Sequence, residues 1–324
     1  MAPERAEPDP DPPAPITRLR VLERTGSTNT DLARLAIADP PAWPHLSVLV
    51  AREQTAGKGR AGRTWDSSGL RALTFSVLVR PRADRAQWGW IPLLAGLATV
   101  RALRSRAGKQ PGATERVAMK WPNDVVDVLG GRNAEPGWGR MRKLGGVLTE
   151  VLADDGGAVV GIGLNLAGTQ LPVPWAGTLA GAGLMPAELG QRPDESGDGP
   201  GGTGRASREH GDGRDAGADE TADDVVHAIV GEFAALLTAL EQGQDVRAPV
   251  EQACVSIGAD VRVELPDGSQ LEGTAARLAS DGALIVRTAH GEHTIRAGDV
   301  RHLRSPAQCA SSASAAPGPG NLEV

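Results

Sequence analysis

The sequence predicts an α/β domain followed by a small SH3-like β-barrel, and three observations carry that expectation. From Ile16 to about residue 245, apolar runs of strand length alternate with stretches of helical periodicity. From Gly258 to Arg304, short β runs are punctuated by Asp267-Gly268, Asp281-Gly282 and His290-Gly291, and Asp-Gly is a strong hairpin signal. Stretches rich in Gly, Pro, Ser and acidic residues interrupt this pattern at 190–222 and at both ends. The expected organisation is a tail (1–15), a first domain (16–245), a second domain (253–304) and a second tail (305–324).

Residues 16–22 alternate loosely and predict a strand. Ser27 or Thr28 then caps a helix to about Ala38. Apolar runs at Leu46–Ala51 and Ala72–Val79 read as strands. Trp88, Ile91, Leu94, Ala95, Ala98 and Ala102 recur at helical spacing, so Trp88–Ser105 is a helix whose start is set by Pro92, which is tolerated only near a first turn. Val117–Met119 is a short strand. Leu144–Leu152 and Ala158–Leu166 form a hairpin around Asp154-Asp155-Gly156-Gly157. Gly130–Arg142 has no period and reads as a loop. Gly190–Ala222 lacks the apolar surface to offset chain entropy and reads as a disordered insertion. From Asp223 to Leu240, Val226, Ile229, Val230, Phe233, Leu236, Leu237 and Leu240 make an apolar stripe expected to dock on the sheet.

A formal net charge of -6 argues against coating nucleic acid through bulk charge. The two cysteines, Cys254 and Cys309, have no metal-ligand spacing and fit a reducing compartment. Met1–Pro15 is acidic and Pro-rich, with no apolar h-region, so no signal peptide is expected. No apolar run approaches the ~20 residues of a membrane span. The expectation is a cytosolic protein.

Residues 53–66 carry the densest chemical signal. Gly57, Gly59 and Gly62 alternate with Lys58, Arg60 and Arg63. Glycine leaves backbone N–H groups unshielded and free to curl around phosphate; arginine adds a planar fork and lysine a point charge. Between two strands, this loop is built to hold an anion. It has no GxxxxGK[ST] pattern and no helix directly after it, which excludes a Walker-type NTPase. A Gly/Arg segment that binds RNA is the alternative reading, and the flanking strands count against it.

Four further motifs belong to the first domain: Gly26-Ser27-Thr28-Asn29, Met119-Lys120-Trp121-Pro122-Asn123-Asp124, Lys143-Leu144-Gly145-Gly146-Val147-Leu148 and Gly161-Ile162-Gly163-Leu164-Asn165-Leu166. Each has a structural explanation when taken alone. Ser27 and Thr28 cap helices, Pro-Asn-Asp makes turns, a lone lysine is normally solvated, and strand glycines mark bulges or close backbone contacts.

Together with Gln54 and the Gly/Arg loop, and in this order, the motifs closely resemble the biotin–protein ligase family. The resemblance covers Thr25 to Leu166 in motifs and extends to the small C-terminal β domain. It implies an α/β (α+β) catalytic domain with a mixed, class II synthetase-like sheet. It also implies ATP with Mg²⁺ and biotin as co-substrates, with no tightly bound prosthetic group. The acceptor it implies is the biotin carboxyl carrier domain of a carboxylase such as acetyl-CoA carboxylase, served by a monomer or homodimer.

By the same resemblance, Lys143 is the central cation touching both biotin carboxylate and α-phosphate, and Arg60 closes over the adenylate as a second catalytic group. Ser27, Thr28, Asn29, Gln54, Gly57, Lys58, Gly59, Arg60, Lys143, Gly145 and Gly146 line the biotin side. Arg60, Arg63, Trp65, Lys120, Asn123 and Asn165 face the nucleotide, with Trp65 on adenine and Asn165 toward ribose or phosphates. Asp124 is the candidate Mg²⁺ ligand. Lys58 stands where many relatives have arginine, so the charge survives without the bidentate fork. The residues before Thr25 are too few and too Pro-rich for a winged helix, so operator binding is not expected. Two rivals remain: a lipoate–protein ligase, and a nucleic-acid-binding module gripping phosphate with residues 57–63.

Overall fold

The computed structural model describes residues 15–66, 70–107, 113–153, 156–185 and 216–303. Its strands are β1 (Arg18–Thr25), β2 (Ser47–Gln54), β3 (Arg71–Val79), β4 (Val117–Lys120), β5 (Asp124–Asp127), β6 (Arg142–Val151), β7 (Ala158–Ala167), β8 (Asp260–Glu264), β9 (Gln270–Leu278), β10 (Leu284–Thr288), β11 (Gly291–Ile295) and β12 (Asp299–His302). The helices are α1 (Thr28–Ala38), α2 (Trp90–Arg106), α3 (Ala113–Arg116), α4 (Ala216–Glu241) and α5 (Arg247–Ala253).

The first seven strands form one sheet in the order β1-β2-β3-β7-β6-β5-β4. It is mixed: β1 runs parallel to β2, and the other neighbours are antiparallel. Strand alternation decides which helix covers which face. Val48, Val50, Val77, Val79 and Val160 join the core built on α2 and α4, whereas the intervening Leu49, Leu78 and Val159 join Leu32 and Ala36 of α1. Helix α2 is buried nearly all round, from Trp90 to Leu103, because the sheet lies on one side and α4 on the other.

The apolar stripe of α4 therefore docks chiefly on α2 and meets the sheet more lightly, at β3, which corrects the expectation of docking mainly on the sheet. Phe233, Ile229 and Val230 are fully buried in that helix–helix seam. Helix α4 also begins at Ala216, so 216–222 belongs to the helix and not to a disordered insertion. Alanine, the best helix former, recurs through this stretch. The rest of that expected insertion, the Asp154-Asp155 tip and the tails (1–14 and 304–324) lie outside the described residues.

The β6–β7 hairpin pairs as expected, with Val147 opposite Ile162. Residues 260–302 form a second, antiparallel sheet in the order β11-β10-β9-β8-β12. It docks firmly on the first domain: Trp90 Nε1 donates to Ser280 O (2.8 Å), Val255 N to Met119 O (2.9 Å) and His302 N to Gly137 O (3.1 Å). Strand β12, unforeseen in the sequence, thereby faces the end of the large sheet. Among the described residues no helix is long and apolar enough to cross a membrane.

Candidate active site

A cavity of about 390 Å³ opens between the 55–66 loop, α1, the centre of the large sheet and β12. The loop is a tight strand connection with its own hydrogen bonds: Gly59 N donates to Arg63 O (2.7 Å) and Trp65 N to Gly57 O (2.9 Å). Ala61 (φ 53°) and Gly62 (φ 72°) turn the chain left-handed at its tip. Arg60 points inward, with Nη1 3.4 Å from Asn123 Oδ1. Burial lowers its guanidinium from the ordinary value, and Asp299 and Asp124 oppose the shift. Arg63 instead reaches β12 and pairs with Asp299 at 2.7 Å.

At the floor, strand β6 presents Lys143 and the β4–β5 turn presents Lys120 and Asp124. Lys143 Nζ lies 2.5 Å from Asp124 Oδ1, and Lys120 Nζ lies 3.9 Å from Oδ2. Burial alone would raise the Asp124 carboxyl, but the two lysines hold it below its ordinary value. Lys120 is itself buried, donates to Val300 O (2.5 Å) and sits 4.5 Å from the Trp138 ring. Burial lowers its ammonium, partly offset by Asp124.

Asp124, the candidate Mg²⁺ ligand, has an ammonium facing each of its oxygens, and among the described residues no group of three His, Cys, Asp or Glu could hold a metal ion by itself. Magnesium commonly takes one or two carboxylates together with substrate phosphates and water.

The opposite end of the cavity is neutral and polar. Gln54 Oε1 accepts from Thr28 N (2.7 Å) and lies 3.1 Å from Thr28 Oγ1. Ser27 takes the N-cap position of α1 without a capping bond from its side chain, so the capping reading accounts for its place and not for its hydroxyl. Asn29 is buried behind them and donates to Glu150 Oε2 (2.8 Å) and Leu148 O (3.3 Å).

The glycines of β7 act through close approach. A Cβ at Gly161 would sit 2.3 Å from Asn29 Oδ1, and one at Gly163 would sit 2.8 Å from the Trp65 ring. Trp65 lies 5.8 Å from Lys143 Nζ, and its buried Nε1 has no hydrogen-bond partner among the described residues.

The structure thus brings Ser27, Thr28, Asn29, Gln54, Lys58, Gly59, Arg60, Arg63, Trp65, Lys120, Asn123, Asp124, Lys143, Gly146 and Asn165 to one cavity. Gly57 is buried against Trp65 and Gln54 and lines an adjoining pocket of the loop, and Gly145 is buried against Gly163 O and Leu164. The Asn165 amide donates to Gly177 O (2.9 Å) and Lys143 O (3.3 Å), so it braces the cavity wall. Asn123 likewise donates to Val147 O (2.8 Å). Sequence reasoning missed Trp138 and Trp175, which stack with centroids 6.1 Å apart on the cavity wall, and Asp299, Val300 and Arg301 of β12. It also missed Ser76, whose only signal was a hydroxyl inside an apolar strand.

Comparison with known proteins identifies the family of the chain. Residues 21–166 match the profile of the Biotin/lipoate A/B protein ligase family, and residues 256–303 match the Biotin protein ligase C terminal domain. These define the class, a protein ligase of the biotin and lipoate type. The chain is 32% identical over 292 residues to the biotin--[acetyl-CoA-carboxylase] ligase of Mycobacterium tuberculosis, covering 89% of this chain and 90% of that one. The chain belongs to the biotin protein ligases. A second relative of that description, from Paracoccus denitrificans, is 35% identical over 46% of this chain and 54% of its own length. Among solved structures, the biotin protein ligase from Aquifex aeolicus in complex with biotin and ATP shares the fold (TM-score 0.59, 22% identity), covering 89% of this chain and 100% of that one.

Proposed function

We infer that the cavity activates biotin as biotinyl-5'-AMP and passes the acyl group to a lysine of a biotin carboxyl carrier domain, as in acetyl-CoA carboxylase. The observation that carries this reading is the convergence of Lys143, Lys120 and Arg60 on the floor beside a neutral hydrogen-bonding pocket. A carboxylate oxygen attacks the α-phosphorus of ATP and pyrophosphate leaves; an acceptor amine then attacks the acyl carbon and AMP leaves. Two anions must meet in the first step, so cations held at the meeting point lower its barrier.

Lys143 is our candidate for that point. An incoming carboxylate and phosphate would replace Asp124 as its partners, while Asp124 keeps Lys120. Arg60 is placed to cover the mixed anhydride, and Arg63 to meet phosphate at the rim. Thr28, Gln54 and Ser27, with backbone at Gly59 and Gly146, are read as the contacts for the ureido ring. Trp65 is read as the adenine contact. We assign Mg²⁺ to the triphosphate of ATP as part of that substrate.

We also read the five-stranded C-terminal sheet as SH3-like, the first domain as class II synthetase-like, and 16–245 and 253–304 as the domain limits. The test is exchange of pyrophosphate into ATP with biotin, lipoate or octanoate. Exchange with biotin alone is expected, and exchange with lipoate alone would move the substrate assignment to that acid.

A further inference from the structure

A string of side chains runs behind the neutral pocket and ends on Glu150 of β6. Gln54 Oε1 meets Thr28, Thr28 Oγ1 lies 2.8 Å from Ser76 Oγ, Ser76 Oγ lies 2.6 Å from Asn29 Oδ1, and Asn29 Nδ2 lies 2.8 Å from Glu150 Oε2. The second carboxylate oxygen of Glu150 faces Lys58 Nζ at 3.8 Å. One end of the string thus lies on Gln54 at the end of β2, next to the 55–66 loop, and the other meets Lys58 inside that loop. Thr28, Asn29 and Ser76 are buried, and Ser76 has no exposure at all.

The direction of the bonds from Glu150 to Ser76 follows from one group, and the Thr28 N–H fixes the amide of Gln54. A carboxylate only accepts hydrogen bonds, so the Asn29 amide must turn its NH₂ to Glu150 and its oxygen to Ser76. Ser76 has a single proton, which goes to that oxygen, so toward Thr28 it can only accept. The Thr28 hydroxyl proton is then used inside the string, on Ser76 or Gln54. Thr28 is left with a lone pair, and Gln54, whose oxygen is held by Thr28 N–H, is left with its NH₂. A ring that carries both N–H groups and a carbonyl needs that pairing of acceptor and donor.

We propose that Glu150 is a positioning residue that sets the donor–acceptor order of the biotin pocket and anchors the loop through Lys58. The proposal rests on the biotin reading of the cavity. Buried polar strings of this kind lose selectivity when one member can turn either way.

The test measures KM for biotin and for ATP in pyrophosphate exchange, with thermal midpoints taken on the same preparations. Glu150→Gln admits either amide orientation and is expected to raise the biotin KM by roughly tenfold, with a smaller change for ATP and a cooperative melt. Glu150→Asp, which keeps the acceptor, should recover part of the loss. Asn29→Asp alone sets two carboxylates together and should be worse than Glu150→Gln. The double variant N29D/E150Q exchanges the two groups: the new carboxylate accepts from Ser76, and the new amide donates to that carboxylate. Its biotin KM should therefore fall part of the way back toward the parent, short of it by the bond that Asn29 gives Leu148 O. A Glu150→Gln biotin KM within about twofold of the parent, or a double variant no better than Asn29→Asp, would overturn the proposal. A parent protein without biotin-dependent exchange would instead sink the biotin reading itself.

Discussion

Lys143 Nζ and Asp124 Oδ1 stand 2.5 Å apart on the cavity floor, and the carboxylate is buried while the ammonium keeps access to the cavity. That asymmetry gives the pair a use. In our proposed reading Asp124 would hold Lys143 in place until a substrate anion takes over, and Lys120 would keep the carboxylate compensated. Breaking a buried pair by removing one partner typically costs about 3–5 kcal/mol. With Lys120 still present and Lys143 part-exposed, the loss here should fall below that range.

Lys143→Ala should therefore melt earlier yet cooperatively, and should make no adenylate. Biotin-dependent pyrophosphate exchange, measured on a variant whose circular dichroism matches the parent, checks both halves. Substantial exchange would remove Lys143 from the meeting point of the two anions.

Arg60 makes a different kind of contact. Its guanidinium is largely enclosed, but the side-chain oxygen it approaches, Asn123 Oδ1, is distant at 3.4 Å. A cation held this loosely suits the role we propose for it, covering the adenylate. Arg60→Gly should leave exchange measurable and release the adenylate faster, by roughly tenfold or more if one charge-assisted bond is lost. Trapping the released intermediate with hydroxylamine gives the rate, and an unchanged rate would count against the role.

The Gly/Arg loop could be read as an anion site from its residue types alone. Lys143, Thr28 and Gln54 could be named only through the resemblance of the ordered motifs to the biotin–protein ligases, because each has an ordinary structural use by itself. What escaped is what tertiary packing supplies. Asp299 and Val300 belong to a four-residue strand with no pattern of its own, and they reach the cavity only because the second sheet docks there. Trp138 belongs to an aperiodic loop that is fixed by the Gly137–His302 bond. Helix α4 shows the same limit in the fold: its stripe announced burial, but a stripe does not say whether a sheet or another helix will cover it.

The interface between the two sheets should be acid-sensitive through His302. Its Nε2 lies 3.1 Å from Ser256 Oγ, its Nδ1 has no partner among the described residues, and burial together with the Lys120 charge pushes its pKa down to about 3 from 6.5. Between those values the unfolded chain binds a proton that the folded one does not. Stability is therefore full above about pH 6.5 and is lost as pH falls toward 3, with a slope of up to about 1.4 kcal/mol per pH unit. Urea titrations from pH 7 to 4 should show that slope in the parent and a flatter one in His302→Asn. Equal slopes would assign the acid sensitivity to other groups.

Gly163 offers the sharpest test of the nucleotide side. Its missing side chain lets the Trp65 ring lie against β7, where a Cβ would come within 2.8 Å of ring atoms Cε2 and Cζ2. Strand β7 is held on both sides, by β3 and β6, so the ring has to move and not the strand. Gly163→Ala should therefore raise the KM for ATP by roughly tenfold, because displacing a positioned group by about an ångström has effects of that order or larger. The KM for biotin should change much less, since Thr28 and Gln54 are held from α1 and β2. Gly231→Ala provides the control: nothing lies within 4 Å of a Cβ there, and alanine in α4 should add about 0.5–1 kcal/mol of stability without altering either KM. If Gly163→Ala raises both KM values equally, Trp65 does not act selectively on the nucleotide, and the cavity has been distorted as a whole.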